Sequence, residues 1–119
     1  MRLNEILFTD ALPIDGYGPG FFRVGGQVVE GPVLLTAKET QRWGGLDDVA
    51  PLLALAGHVD VLFIGTGAEP AHLPPALRKR LEAAGLGVET MATGPAARTY
   101  NVLLSEGRRI AAALLPVEG

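Results

Sequence analysis

The sequence predicts an α/β fold: a three-layer sandwich around a mixed central sheet, with an antiparallel N-terminal hairpin followed by αβαβαβ. Three observations predict it. Before Trp43 the chain consists of short β-rich runs broken by glycine and proline, with no helical period between them. From Leu46 onward, apolar residues at helical spacing alternate with short, nearly continuous apolar runs. Such alternation implies right-handed crossovers, with helices packed on a largely parallel sheet. The chain has 119 residues, of which 48% are apolar and 19% charged, so it can bury a real core, and residues 1–119 read as a single domain.

Taken in order, Leu3, Ile6, Leu7 and Phe8 fit a short edge strand. Asp15-Gly16-Tyr17-Gly18-Pro19-Gly20 reads as an irregular loop, because its glycines admit positive φ and its proline cannot continue a ladder. A sharper reading lets Tyr17 close over a nearby pocket. Phe21-Phe22-Arg23-Val24 and Gln27-Val28-Val29-Glu30 flank Gly25-Gly26, a hairpin signal. After Gly31-Pro32 comes another strand, Val33-Leu34-Leu35-Thr36, and the lone tryptophan, Trp43, reads as a packing residue. Phe21-Phe22 is also an apolar run that a dimer contact would use.

Asp47 or Asp48 can cap a helix containing Val49, Leu52, Leu53, Leu55 and Ala56, with Pro51 in its first turn and Gly57 at its end. Val59 to Ile64 is apolar except for Asp60, which suits a central strand covered on both faces. Pro74-Pro75 opens a second helix that Gly85 closes, and Gly87-Val88-Glu89-Thr90-Met91 is the next strand. Gly94-Pro95 starts the last helix, Gly107 ends it, and residues 110–115 make the final strand.

Two loops stand out for chemistry. Gly65-Thr66-Gly67 follows one strand, and Ala92-Thr93-Gly94 follows the next and leads into a helix. With parallel strands, both lie at the carboxyl edge of the sheet, where open α/β sheets bind ligands. Thr93 is expected to cap the last helix, whose free N–H groups and dipole favour an anion. Gly65, Thr66, Gly67, Thr93, Gly94 and Arg98, with Asn101 from the same polar cluster, would then form a small site for a phosphate or carboxylate. The plainer alternative is two turns and a helix cap. Pro70 rules out the dinucleotide fingerprint, and the chain has no phosphate-loop sequence.

Other chemistry is poorly supplied. The chain has no cysteine, and its single serine, Ser105, falls late in a helix outside any nucleophile elbow. His58 and His72 are fourteen positions apart on different elements, so no metal or other cofactor is expected. Arg78-Lys79-Arg80 reads as a solvated helix face. The net charge of −3 gives no case for nucleic acid or an anionic membrane. No signal-like start or membrane-length apolar run is present, which points to a cytoplasmic setting.

Several of these residues carry a resemblance. Ile64-Gly65-Thr66-Gly67, Leu73-Pro74-Pro75, and Met91-Ala92-Thr93 followed by Ala97-Arg98-Thr99-Tyr100-Asn101-Val102-Leu103 resemble the domain shared by adipogenesis-associated proteins and mitochondrial complex I (NADH dehydrogenase) assembly factor three. Tyr17-Gly18, Gly25-Gly26, residues 31–35 and Trp43 fit the same pattern. The resemblance implies a three-layer α/β/α-type fold and no particular reaction. Its partners would be respiratory complex subunits or other assembly factors. Ala92 stands where many members carry aspartate and Ala97 where many carry cysteine, so a mechanism needing that acid or thiol cannot operate here. The sequence therefore favours a non-catalytic interaction or assembly module; the alternative is a binding protein or enzyme for a phosphate- or carboxylate-bearing small molecule, using the crevice at the Gly65-Thr66-Gly67 and Thr93-Gly94 loops. Oligomeric state is not fixed by the sequence.

Overall fold

The computed structural model describes residues 5–9 and 12–118. The elements run β1 (Ile6–Phe8), β2 (Ile14–Gly18), β3 (Phe21–Val24), β4 (Gln27–Glu30), β5 (Val33–Thr36), β6 (Thr40–Arg42), α1 (Ala50–Leu53), β7 (Val61–Thr66), α2 (Pro75–Ala83), β8 (Gly87–Met91), α3 (Thr93–Ser105) and β9 (Ile110–Leu115). Six strands form a mixed sheet in the order β1-β6-β5-β9-β7-β8, and β2-β3-β4 form a separate antiparallel sheet. The expected mixed sheet, hairpin and αβαβαβ succession are all present. Leu3, expected in the first strand, lies outside the described residues.

The hairpin turn follows from its sequence. Gly25 and Gly26 take φ of +56° and +81°, and Val24 pairs with Gln27 across them. Positive φ at both central residues is the primed turn that matches strand twist, and glycine adopts it without steric cost. The segment before it differs from expectation. Residues 14–18 are not an irregular loop but strand β2, joined to β3 by the two-residue turn Pro19-Gly20. Its glycines disguise a strand that exists through pairing with β3. Likewise β6 has no apolar alternation and forms because β1 and β5 flank it. Phe22, half of the suggested dimer contact, is fully buried inside the molecule.

β9 occupies the middle of the six-stranded sheet, antiparallel to β5 and parallel to β7. Cross-strand rows alternate between the two faces. Leu34, Ala113 and Ile64 lie in one row, and Leu35, Ala112 and Phe63 in the next. The first face packs under α1 and α2 through Leu52, Leu55, Leu77 and Leu81. The second packs under α3 and the small sheet through Ala96, Ala97, Tyr100, Phe22, Val24 and Val29. Ala111, Ala112 and Ala113 are each fully buried, so the middle of β9 carries only methyl groups between larger side chains of β5 and β7. The molecule is thus three layers deep: α1 and α2, the main sheet, then α3 with the hairpin sheet.

Helix ends obey local rules in two cases of three. At the end of α3, Gly107 (φ +74°) donates to Leu104 C=O and Arg108 N–H donates to Leu103 C=O. At the end of α2, Gly85 (φ +95°) and Leu86 repeat the pattern onto Glu82 and Leu81. Both are Schellman closures, for which glycine is suited. By contrast, α1 is a single turn without a side-chain cap. Asp48 instead accepts from the Gly44 N–H (2.9 Å) and receives the Trp43 Nε1–H on its carbonyl (3.0 Å), so it anchors the buried tryptophan.

On the outer edge of β8, Arg78 of α2 donates to Val88 C=O (3.2 Å) and lies 3.4 Å from the Thr90 hydroxyl. Occupying an outward carbonyl of an edge strand hinders another strand from pairing there.

Tyr100 ties α3 to the far side of the sheet. It is fully buried, and its hydroxyl donates to Thr36 C=O (3.2 Å). Burial pushes its phenol well above the ordinary value of about 10. An unfolded tyrosine ionises near that value while the folded one holds its proton. Its contribution is therefore complete below pH ~10 and lost above it, at up to about 1.4 kcal/mol per pH unit. Denaturant unfolding followed from pH 8 to 11 should show this alkaline decline in the wild type. Tyr100→Phe should start about 1 kcal/mol less stable at pH 8 and decline less steeply.

Candidate functional site

β7, β8 and β9 are mutually parallel where they pair, so Thr66, Met91 and Leu115 end on one edge of the sheet. Both loops singled out in the sequence leave from this edge. There the side chains meet one another first. Thr93 is fully buried as the first residue of α3. Its hydroxyl donates to Leu115 C=O (2.6 Å) and accepts from the Gly67 N–H (2.8 Å). Its own N–H donates to Gly67 C=O (2.8 Å). The expected capping role is therefore corrected: the hydroxyl turns inward between two strand ends, and α3 has no side-chain cap.

Thr66 organises its own loop. Its hydroxyl accepts from the Ala71 N–H (3.1 Å) and points at the carbonyls of Glu69 (2.8 Å) and Met91 (3.2 Å). Gly65 has a packing reason to be glycine and Gly67 a backbone one. A Cβ on Gly65 would come within 2.9 Å of the Thr93 hydroxyl and 2.8 Å of the Leu114 side chain. Gly65 thus lets α3 approach β7 closely, while Gly67 supplies a φ of +98° for the turn.

The remaining three residues separate. Gly94 is buried, and a Cβ there would collide with the hydroxyl of Tyr17, which reaches across from β2. Tyr17 thus closes over the start of α3, although 41% of it remains exposed. Arg98 is exposed on the next turn, its Nη1 3.5 Å from where that Cβ would stand. Asn101 lies just over two turns past Thr93, about 12 Å away at the usual rise. Its Oδ1 accepts from the Ile14 N–H (2.9 Å) and its Nδ2 donates to Ile14 C=O (2.8 Å). That amide docks the hairpin sheet on α3 and is not brought to the edge.

The electrostatic offer of the helix start is correspondingly small. Of its first N–H groups, that of Thr93 is bonded to Gly67, Pro95 has none, and that of Ala96 bonds to Ala92 C=O. Within the first turn of α3 that leaves the buried Gly94 N–H, with the exposed Arg98 guanidinium one turn further on. Ala97, where the resemblance has cysteine, points into the buried layer under α3.

A second concavity, not anticipated in the sequence, lies at the opposite end of the sheet. It has a volume of about 760 Å³, and its lining includes Lys38, His58, Arg108 and Arg109. Arg108-Arg109 directly after a helix-ending glycine was a legible signal. Lys38 and His58 come from distant loops and carried none.

The fold and this edge define a small three-layer α/β domain whose strand-end loops are bonded mainly to one another. The chain belongs to the family described as Protein of unknown function (DUF498/DUF598), whose model matches residues 14–115. An uncharacterized protein of Rhodobacter capsulatus is 59% identical over all of this chain and 96% of its own length. The mouse protein named NADH dehydrogenase [ubiquinone] 1 alpha subcomplex assembly factor 3 is 30% identical over all of this chain and 68% of its own length. A solved Bartonella henselae structure, described as an outer membrane protein, superposes with a TM-score of 0.85 at 36% identity, covering 94% of this chain and all of that one. Among the described residues no helix is long and apolar enough to cross a membrane.

Two substitutions test the edge. Thr93→Val keeps the shape and removes the hydroxyl, leaving the Gly67 N–H and Leu115 C=O without it. Urea unfolding should show a loss of about 2–4 kcal/mol. Gly94→Ala should cost about 1–2 kcal/mol through the collision with Tyr17. Adding Tyr17→Ala should recover that cost, so the double-mutant cycle should report a coupling of about 1 kcal/mol or more.

Proposed function

We propose that this chain is a non-catalytic interaction or assembly module for a respiratory NADH dehydrogenase, working in the cytoplasm with complex subunits or other assembly factors as partners. The observation that carries the reading is the alignment of the whole chain with the mouse assembly factor at 30% identity. The chemistry agrees with it. The threonine hydroxyls at the carboxyl edge are spent on backbone groups. Alanine occupies positions 92 and 97, where an acid and a thiol would have been available for catalysis.

A second reading, a phosphate- or carboxylate-bearing ligand at the edge, is favoured by one observation. Arg98 is exposed one turn beyond Gly94 and makes no ion pair or side-chain hydrogen bond among the described residues. Gly65, Thr66, Gly67 and Thr93 would then frame the site from behind.

Tagging the chain in the organism that encodes it and purifying under gentle conditions tests the first reading. Subunits of NADH dehydrogenase should be enriched, and deletion of the chain should lower the amount of assembled complex on native gels. Normal assembly after deletion, with no subunit recovered, would sink it. Thermal-shift measurements with phosphate and small carboxylates address the second. A rise in Tm that disappears in Arg98→Ala would favour the ligand site, and no rise in either protein would remove it.

A further inference from the structure

We propose that the groove at the amino end of β7 and β9 binds an organic anion with an apolar body and a single carboxylate or phosphate head. The groove lies at the opposite end of the sheet from Thr66 and Thr93, and the proposal does not depend on the assembly reading. Its volume of about 760 Å³ falls within the roughly 300–1,000 Å³ usual for small-molecule sites.

Two features specify the chemistry. The first is charge. Lys38, Arg108 and Arg109 line the groove against one carboxylate, Glu39, on a chain whose acids outnumber Lys and Arg by thirteen to ten. Cations gathered in a concavity of an otherwise acidic protein focus a positive potential there. Lys38 and Arg108 are exposed and make no side-chain hydrogen bond or ion pair among the described residues. The Arg109 guanidinium is partly engaged, by Gly57 C=O (3.1 Å) and by Asp60 (3.7 Å). Two unshared cations beside one acid suit a head of low charge. The second feature is the lining, where Leu55, Val59 and Ile110 contribute buried side chains and Pro51 and Ala54 add further apolar surface. A bare inorganic ion would leave that surface wet, whereas an alkyl or aryl body would cover it.

The groove is also held in shape before any ligand arrives. Three loops form it, and each is tied. The Thr36 hydroxyl accepts from the Lys38 N–H (3.1 Å) and the Glu39 N–H (3.2 Å), fixing the loop between β5 and β6. The buried Tyr100 hydroxyl holds Thr36 from beneath. Arg109 links the loop after α3 to the loop before β7 through Gly57, and the Asp60 N–H returns the link to Arg109 C=O (2.8 Å). The Schellman closure at Gly107 places Arg108 at the mouth. A preformed site spares a ligand the cost of ordering loops.

The test uses the full chain, with sodium octanoate as probe and octanol and inorganic phosphate as controls, followed by NMR titration. Octanoate should bind saturably and shift amides at residues 36–39, 55–59 and 107–110. Octanol and phosphate should each bind at least about tenfold more weakly, as loss of a charged hydrogen bond or of the apolar body implies. Lys38→Glu/Arg108→Glu, two exposed changes checked for folding by circular dichroism, should weaken octanoate by at least about tenfold. Sedimentation with phosphatidylglycerol vesicles separates the sources of the head. Binding lost in the same double variant would assign it to a membrane lipid, and octanoate binding without sedimentation would assign it to a free acid. Non-saturating or scattered shifts, or a double variant that binds like the wild type, would overturn the proposal.

Discussion

The hydroxyl of Thr93 is the interaction on which the rest of the architecture leans. One buried oxygen joins the Gly67 N–H after β7 to Leu115 C=O at the end of β9, and the same residue begins α3 directly after β8. Three parallel strands therefore share one junction. Two neighbouring contacts follow from it. Gly65 must lack a side chain because α3 starts against β7 there. The direction of α3 then sets what its later residues can reach: Asn101 receives the hairpin sheet at Ile14, and Tyr100 reaches Thr36 on the far side. Such chains of buried polar contacts specify geometry because an unmade bond in the interior is costly.

That dependence explains what could and could not be read from the sequence. The second half was legible element by element, since its apolar spacing switches between helix and strand and Gly85 and Gly107 close their helices locally. β2 and β6 were not, because Gly16, Gly18 and Gln41 carry no strand signal of their own and pair only because distant partners are present. Asp48 looked like a helix cap and serves Gly44 and Trp43 instead. At the carboxyl edge the glycines and Thr93 have structural reasons that their sequence does not show. Gly65 and Gly67 are glycine for helix approach and turn geometry, and the direction of the Thr93 hydroxyl is decided by Leu115, twenty-two residues later. The basic groove was only partly legible: Arg108-Arg109 after Gly107 could be noticed, but Lys38 comes from a distant loop that only the fold brings beside them.

The two ends of the sheet thus differ in kind. At the carboxyl edge, the two threonine hydroxyls are bonded to backbone groups, and the Arg98 guanidinium faces outward. At the amino end, the loops are tied from below and their charged tips are left outward. α3 spans both ends, with Thr93 at one and the Arg108 mouth just past the other. Membership of the DUF498/DUF598 family and kinship with a respiratory assembly factor sit comfortably with a scaffold whose ordered interior supports outward-facing surfaces.

The alanine run of β9 has a consequence for how such a protein can evolve. Ala111, Ala112 and Ala113 lie between larger neighbours on both faces, with no exposed area. Close-packed interiors resist added volume more than conservative exchange. Sequence drift is therefore lopsided. Outer strands and helix faces can trade one aliphatic residue for another, while positions 111–113 are pinned near the smallest side chain that is still not glycine. Growth at any one of them would have to be matched at once by shrinkage in the layer it faces, a coordinated change that single substitutions do not supply.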